Sequence, residues 1–202
     1  MIFRYFLYRS VNKLLIKSSK KYLNLTVFCS SKDGINEEYN NEIKKLINSV
    51  NEKKYRIVNG GDHGGLIHVV NETFSKKNGN ILSINFKINK GDYVASNIFD
   101  RQRKLIEYAD IILVLPGGMG TLSELMDTIL LNEVSKPENK LDILIFNYKG
   151  IYNLILKHFE EMKEKKFIDS DYMDKFKIRV FDNYQDIIQY LNMFGKETKL
   201  NC

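Results

Sequence analysis

Leu115, Pro116, Gly117, Gly118, Met119, Gly120 and Thr121, with Glu124 three residues on, form the stretch best equipped for chemistry. Three glycines in four positions take side chains away from the backbone and permit left-handed angles, so that successive N–H groups could turn toward one ligand. A helix starting there would add its partial positive charge. Together these suit a phosphate, with one carboxylate beside it. The same residues would also serve as a plain strand-to-helix turn, in which Thr121 caps the helix and Glu124 completes a Thr-x-x-Glu capping box. Such a turn needs one glycine for positive φ, so three favour a ligand site. Other phosphate loops fail on spacing. No lysine lies between Lys104 and Lys136 to close a Walker A motif, and Ser123 stands where a dinucleotide fingerprint wants its third glycine.

Positioning this stretch requires a strand before it and a helix after it. Asp110 to Leu115 is a short apolar run rich in branched residues, the pattern of a strand covered on both faces. Leu122, Leu125, Met126, Ile129 and Leu130 then recur at helical spacing. Upstream, Leu23 to Ser31 reads as a strand, followed by a helix with Tyr39, Ile43, Leu46, Ile47 and Val50 on one face. Tyr55 to Asn59 is a second strand, feeding a second glycine-rich turn at Gly60, Gly61, Asp62, His63, Gly64 and Gly65. Asn80 to Ile88 predicts a third strand, Ile98 to Tyr108 a helix and Leu141 to Asn147 a fifth strand after Asp110 to Leu115. A helix from Ile151 to Lys163, a strand from Lys177 to Phe181 and a helix from Gln185 to Met193 complete the order, and the polar segment Asn132 to Asp142, with Pro137, reads as a loop. Such alternation predicts an α/β fold of a single domain, a doubly wound parallel sheet of Rossmann-like type, with ligands at the carboxyl ends of its strands. The domain is expected over residues 23–194, between a basic extension at 1–22 and a tail at 195–202.

The chain has 202 residues, 44% of them hydrophobic, and a formal charge of +6. Six of its 31 basic residues fall in the first 21 positions, where no acid occurs, leaving 25 against the 25 acidic ones. The body is therefore neutral, which argues against a polynucleotide partner and for a small ligand. The extension is apolar, basic and acid-free, a character shared by mitochondrial transit peptides and by amphipathic helices that pack on a domain. It has no apolar run long enough to span a membrane. Cys29 and Cys202 imply no disulfide framework, consistent with a reducing cytoplasm. His63, His68 and His158 lack metal-ligand spacing, so no metal is expected.

In motif order and spacing over roughly residues 25 to 168, the chain resembles the LOG family, the cytokinin riboside 5′-monophosphate phosphoribohydrolases once labelled lysine decarboxylase-like. That family's Pro-Gly-Gly-x-Gly-Thr-x-x-Glu stands intact as Pro116 to Glu124. Its Val-Phe-Cys-Gly-Ser-Ser resembles Val27 to Ser31, its Tyr-Gly-Gly-Gly-x-x-Gly-Leu-Met resembles Asn59 to Ile67, and its Glu-Arg-Lys corresponds to Asp100, Arg101 and Gln102. Asp62 replaces a family glycine, Gln102 replaces the lysine, and the Gln-Leu-Gly segment is not recognisable in Asn132 to Lys140. The resemblance implies a homodimeric hydrolase, with neither metal nor organic cofactor, that cleaves the N-glycosidic bond of a nucleoside 5′-monophosphate to free base and ribose 5-phosphate. It assigns catalysis to Arg101 and Glu124, and substrate contacts to Gly60, Gly61, Gly65, Gln102, Gly117, Gly118, Met119, Gly120 and Thr121. By position alone, Arg101 among Arg103, Lys104 and Glu107 would equally suit a solvated helix face. A non-catalytic nucleotide-binding protein of the same superfamily is the alternative the departures allow.

Overall fold

The computed structural model describes residues 21–33, 35–61, 64–86 and 93–195. The basic extension up to residue 20, the tail beyond Gly195, Asp62, His63 and Cys202 lie outside the described residues. Seven strands among the described residues form one sheet in the order β4-β3-β2-β1-β5-β6-β7, with every neighbouring pair parallel. They are β1 (Leu23–Phe28), β2 (Tyr55–Asn59), β3 (Asn80–Asn85), β4 (Tyr93–Val94), β5 (Ile111–Val114), β6 (Asp142–Phe146) and β7 (Ile178–Phe181). The helices are α1 (Glu37–Ser49), α2 (Gly65–Ser75), α3 (Ile98–Tyr108), α4 (Met119–Val134), α5 (Asn153–Glu164), α6 (Tyr172–Lys175) and α7 (Tyr184–Met193).

The central strands are apolar on both sides because both sides are covered. Ile111, Ile112, Leu113 and Val114 of β5 are all fully buried. Ile111 and Leu113 pack with Leu25 and Val27 of β1 under Ile43, Leu46, Leu66, Val70 and Ile187, from α1, α2 and α7. On the other face Ile112 and Val114 meet Leu105, Leu125, Phe159 and Tyr172, from α3, α4, α5 and α6. At about 1.5–3 kcal/mol for each fully buried large aliphatic side chain, this two-sided burial is the main force holding the sheet. Polar groups inside it are satisfied: Asn132, fully buried, donates to the carbonyls of Leu141 and Phe176 and accepts from the Leu141 N–H.

The chain order reverses between β1 and β5. Leu25 of β1 pairs with Ile57 of β2 on one side and with Ile111 of β5 on the other. At such a switch point the loops leaving the two strands diverge to opposite faces, and a crevice opens at their carboxyl ends. The loop after β5 is the glycine-rich turn.

Several element boundaries depart from the sequence expectation. β1 stops at Phe28, short of Ser31, because Ser30 N–H donates to the Pro116 carbonyl and the chain leaves the sheet to meet the glycine turn. The strand expected to reach Ile88 ends at Asn85, and the two-residue β4 pairs beside it. The helix expected from Ile151 starts at Asn153, after a 3₁₀ turn at Tyr148–Gly150. The first residues of the expected 132–142 loop continue α4 to Val134, and a 3₁₀ turn occupies Pro137–Asn139. The four-residue α6 was too short to show a helical period. No described helix is long and apolar enough to cross a membrane.

Candidate active site

The glycine-rich turn takes its shape from contacts that differ from the sequence expectation. None of Gly117, Gly118 and Gly120 adopts a positive φ; Gly118 lies at φ −98° in the extended region. What the glycines provide is space. A β-carbon on Gly117 would overlap the Thr121 side chain, whereas one on Gly118 or Gly120 would meet nothing within 4 Å. Two of the three therefore face open room at the start of α4.

The capping box is absent. Gly118, not Thr121, is the N-cap of α4, and no side chain caps it. Thr121 lies inside the first turn and is 3% exposed, and its hydroxyl has no hydrogen-bond partner among the described residues. Thr128, two turns further on, donates instead to the Glu124 carbonyl. A buried hydroxyl without a partner is costly, and the first N–H groups of a helix seek an acceptor. An anion at the open glycines would satisfy both, and the helix dipole favours it there.

Glu124, one turn along α4, meets Arg101 of α3. Arg101 Nη1 lies 3.5 Å from Glu124 Oε1, with side chains only 13% and 12% exposed. Arg101 Nε donates to the Ile84 carbonyl at the end of β3 at 3.1 Å, which aims the guanidinium across the carboxyl edge of the sheet. It is thus removed from the exposed face that its neighbours occupy, where Arg103 pairs with Asp100 and Glu107. Gln102 Nε2 donates to Ser123 Oγ at 2.9 Å and ties α3 to α4. Met119 stands 82% exposed at the rim.

The start of α3 sets the reach of Arg101. Asn97 accepts from the Asp100 N–H, and the Asp100 carboxylate accepts from the N–H and hydroxyl of Ser96, a reciprocal cap. These bonds, led by the Ser96 N–H and helped by Arg103, hold the Asp100 carboxyl at about 2, below its ordinary 3.8. Because the folded value is the lower one, this cap stabilises the protein above pH 3.8 and its contribution is lost as pH falls toward 2. Acid unfolding followed by circular dichroism is expected to show a stability loss in that window that Asp100→Asn abolishes.

At Gly60, Gly61 and Gly65 of the second glycine turn, protein atoms take the space a side chain would need. A β-carbon on Gly60 would overlap the Arg101 guanidinium. Gly61 has φ +70°, with Ser83 Cβ 2.7 Å from where its own β-carbon would be. Gly65 has φ +57°, and a side chain there would strike the backbone of Lys32 and Ser30 at 2.5–2.8 Å. Left-handed backbone is thus used at Gly61 and Gly65, not in the Pro116–Thr121 turn. Gly65 N–H donates to Asp33 Oδ1, so an acid already occupies the start of α2. Of the two helix starts that follow glycine-rich turns, that of α4 is the open one. Asp33, Asn97 and Ile84 were missed as parts of this arrangement; only Asn97, as a polar residue just before a helical run, carried a local signal. Among the described residues no group of three or more His, Cys, Asp or Glu side chains is placed to hold a metal.

The chain is similar to known proteins over most of its length. The chain is 26% identical over 164 residues to cytokinin riboside 5′-monophosphate phosphoribohydrolase LOG5 of Arabidopsis thaliana, covering 76% of this chain and 70% of that protein. It is 26% identical over 156 residues to the probable cytokinin riboside 5′-monophosphate phosphoribohydrolase LOG4 of Oryza sativa subsp. japonica, covering 72% and 67%. Among solved structures, the Moco carrier protein of Chlamydomonas rheinhardtii superposes with a TM-score of 0.61 at 12% identity, over 86% of this chain and 98% of that one, a likeness of fold alone. The model of the family described as "Possible lysine decarboxylase" matches residues 52–191. With β2 to β7, the Arg101–Glu124 pair and the turn at Pro116 all inside that match, the chain belongs to this family, the LOG family.

Proposed function

We propose that the protein is a hydrolase that cleaves the N-glycosidic bond of nucleoside 5′-monophosphates, AMP or its N6-substituted cytokinin relatives, to free base and ribose 5-phosphate. The observation that carries this reading is the convergence of the Arg101–Glu124 pair on an uncapped helix start. In the proposed complex the N–H groups of Gly118 to Thr121 and the Thr121 hydroxyl hold the 5′-phosphate, and Arg101 makes a forked contact to phosphate or ribose. As the bond from C1′ to the base nitrogen breaks, the ribose gains oxocarbenium character. Glu124 stabilises that charge and takes a proton from the water that attacks C1′, while the electron pair of the broken bond goes to the base nitrogen, which takes a proton from solvent; Glu124 then returns its own proton to solvent. Binding of the remote phosphate positions the bond for cleavage.

We further propose a homodimer acting in the cytoplasm. Phe99 of α3 is 78% exposed and Met119 of α4 82%, with Ile98, Leu130 and Val134 also exposed on these two helices, an apolar surface that a second copy would cover. The deciding measurement incubates the protein with AMP and an N6-substituted AMP and follows free base by chromatography. Release of base well above a protein-free blank is the expected result. Thermal stabilisation by nucleotide without base release would instead make this a non-catalytic nucleotide-binding member of the superfamily.

A further inference from the structure

We propose that Tyr152 is the positioning residue of the phosphate turn, setting the direction of the N–H groups after Pro116 from beneath. The proposal rests on the phosphate-binding reading of that turn. Tyr152 lies in the connection between β6 and α5, 37 positions from Leu115, and is 3% exposed. Its hydroxyl donates to the Leu115 carbonyl at 2.6 Å. One buried phenol therefore holds the peptide that enters Pro116. The opposite side of the corner is held by β1, where Leu115 N–H donates to the Phe28 carbonyl and Ser30 N–H donates to the Pro116 carbonyl.

Tyr152 is itself firmly held. Its N–H donates to Asn147 Oδ1 at 2.9 Å, and the Asn147 amide donates to Asn153 Oδ1 and Asp182 Oδ1. Burial keeps the phenol protonated through the physiological range, so the hydroxyl remains a donor to Leu115. Peptide planes rotate as units, so holding the Leu115 carbonyl from Tyr152 and the Pro116 carbonyl from Ser30 fixes the two planes that lead into Gly117 and Gly118. With no side chain on either glycine to resist rotation, that clasp decides where the next N–H groups point.

The test compares wild type with Tyr152→Phe, which removes only the hydroxyl, by calorimetric titration with AMP, ribose 5-phosphate and adenosine. Affinity for the two phosphorylated ligands is expected to fall about tenfold while adenosine binding stays within about twofold. Tyr172→Phe removes another buried hydroxyl, bonded to Glu160 away from the turn, and is expected to leave all three affinities unchanged. If Tyr152→Phe does not fold, Asn147→Ala carries the test, with a smaller loss confined to the same two ligands. Equal weakening of all three ligands, or unchanged affinity for ribose 5-phosphate, overturns the positioning role while leaving the site intact. Failure of wild type to bind AMP or ribose 5-phosphate overturns the phosphate reading and this inference with it.

Discussion

Glu124→Gln is expected to lower turnover of nucleoside 5′-monophosphates by roughly 10³-fold, with AMP affinity retained or improved. The substitution keeps the shape of the side chain and removes its charge. Glutamine can neither take a proton from water nor offset an oxocarbenium charge, so the loss falls on the chemical step. Ground-state binding responds differently, because a carboxylate 3.5 Å from Arg101 competes with a phosphate for the guanidinium. The pair is nearly buried, at 13% and 12% exposure, so water weakens this competition little. Rates of adenine release and calorimetric affinities, measured on the same preparations, separate the two effects. Turnover within a few-fold of wild type would remove Glu124 from the chemistry.

Gly60→Ala is expected to cost at least about 100-fold in kcat/KM, although residue 60 need not touch substrate. Its β-carbon would occupy the position of the Arg101 guanidinium. Arg101 must then swing away, breaking its bond to the Ile84 carbonyl and its pairing with Glu124. Displacement of a reacting group by about 1 Å is enough for a loss of this size. Gly118→Ala is the informative contrast. Its φ of −98° suits any residue and the space is open, so the protein without ligand should tolerate it. A pairwise cycle separates the causes: once Arg101 is alanine, adding Gly60→Ala should lower kcat/KM little further. Two independent losses that multiply would show that Gly60 acts by another route.

Much of the architecture was legible because it depends on neighbours in the chain. Ile98 to Tyr108 and Tyr55 to Asn59 emerged with the expected bounds, since helical period in one and a short run of strand-forming residues stopped by glycines in the other are local signals. Strand ends were less legible. β1 stops at Phe28 because Pro116, far along the chain, takes the Ser30 N–H, and no window around Ser30 contains that information. The Thr-x-x-Glu pattern misled for a related reason. A capping box needs its threonine at the helix boundary, but α4 already begins at Met119, with Gly118 as its N-cap. Thr121 was thereby drawn into the first turn, and its hydroxyl lost the capping role.

The residues that could cradle a phosphate, the acid beside them and the alternation that makes a doubly wound sheet are all stated by the sequence, because each is a matter of side-chain type and short-range spacing. Three decisions belong to the tertiary structure. Arg101 could have faced solvent like Arg103; packing of α3 and α4 on the same face of the sheet turned it toward Glu124 instead. Asp33, from the loop after β1, fills the start of α2 and leaves the start of α4 open. Gly60 gives room to the Arg101 guanidinium, and Gly65 to the backbone of Lys32 and Ser30. Each of these joins segments some twenty or more positions apart, and such contacts exist only once the sheet has brought the carboxyl ends of its strands to one edge.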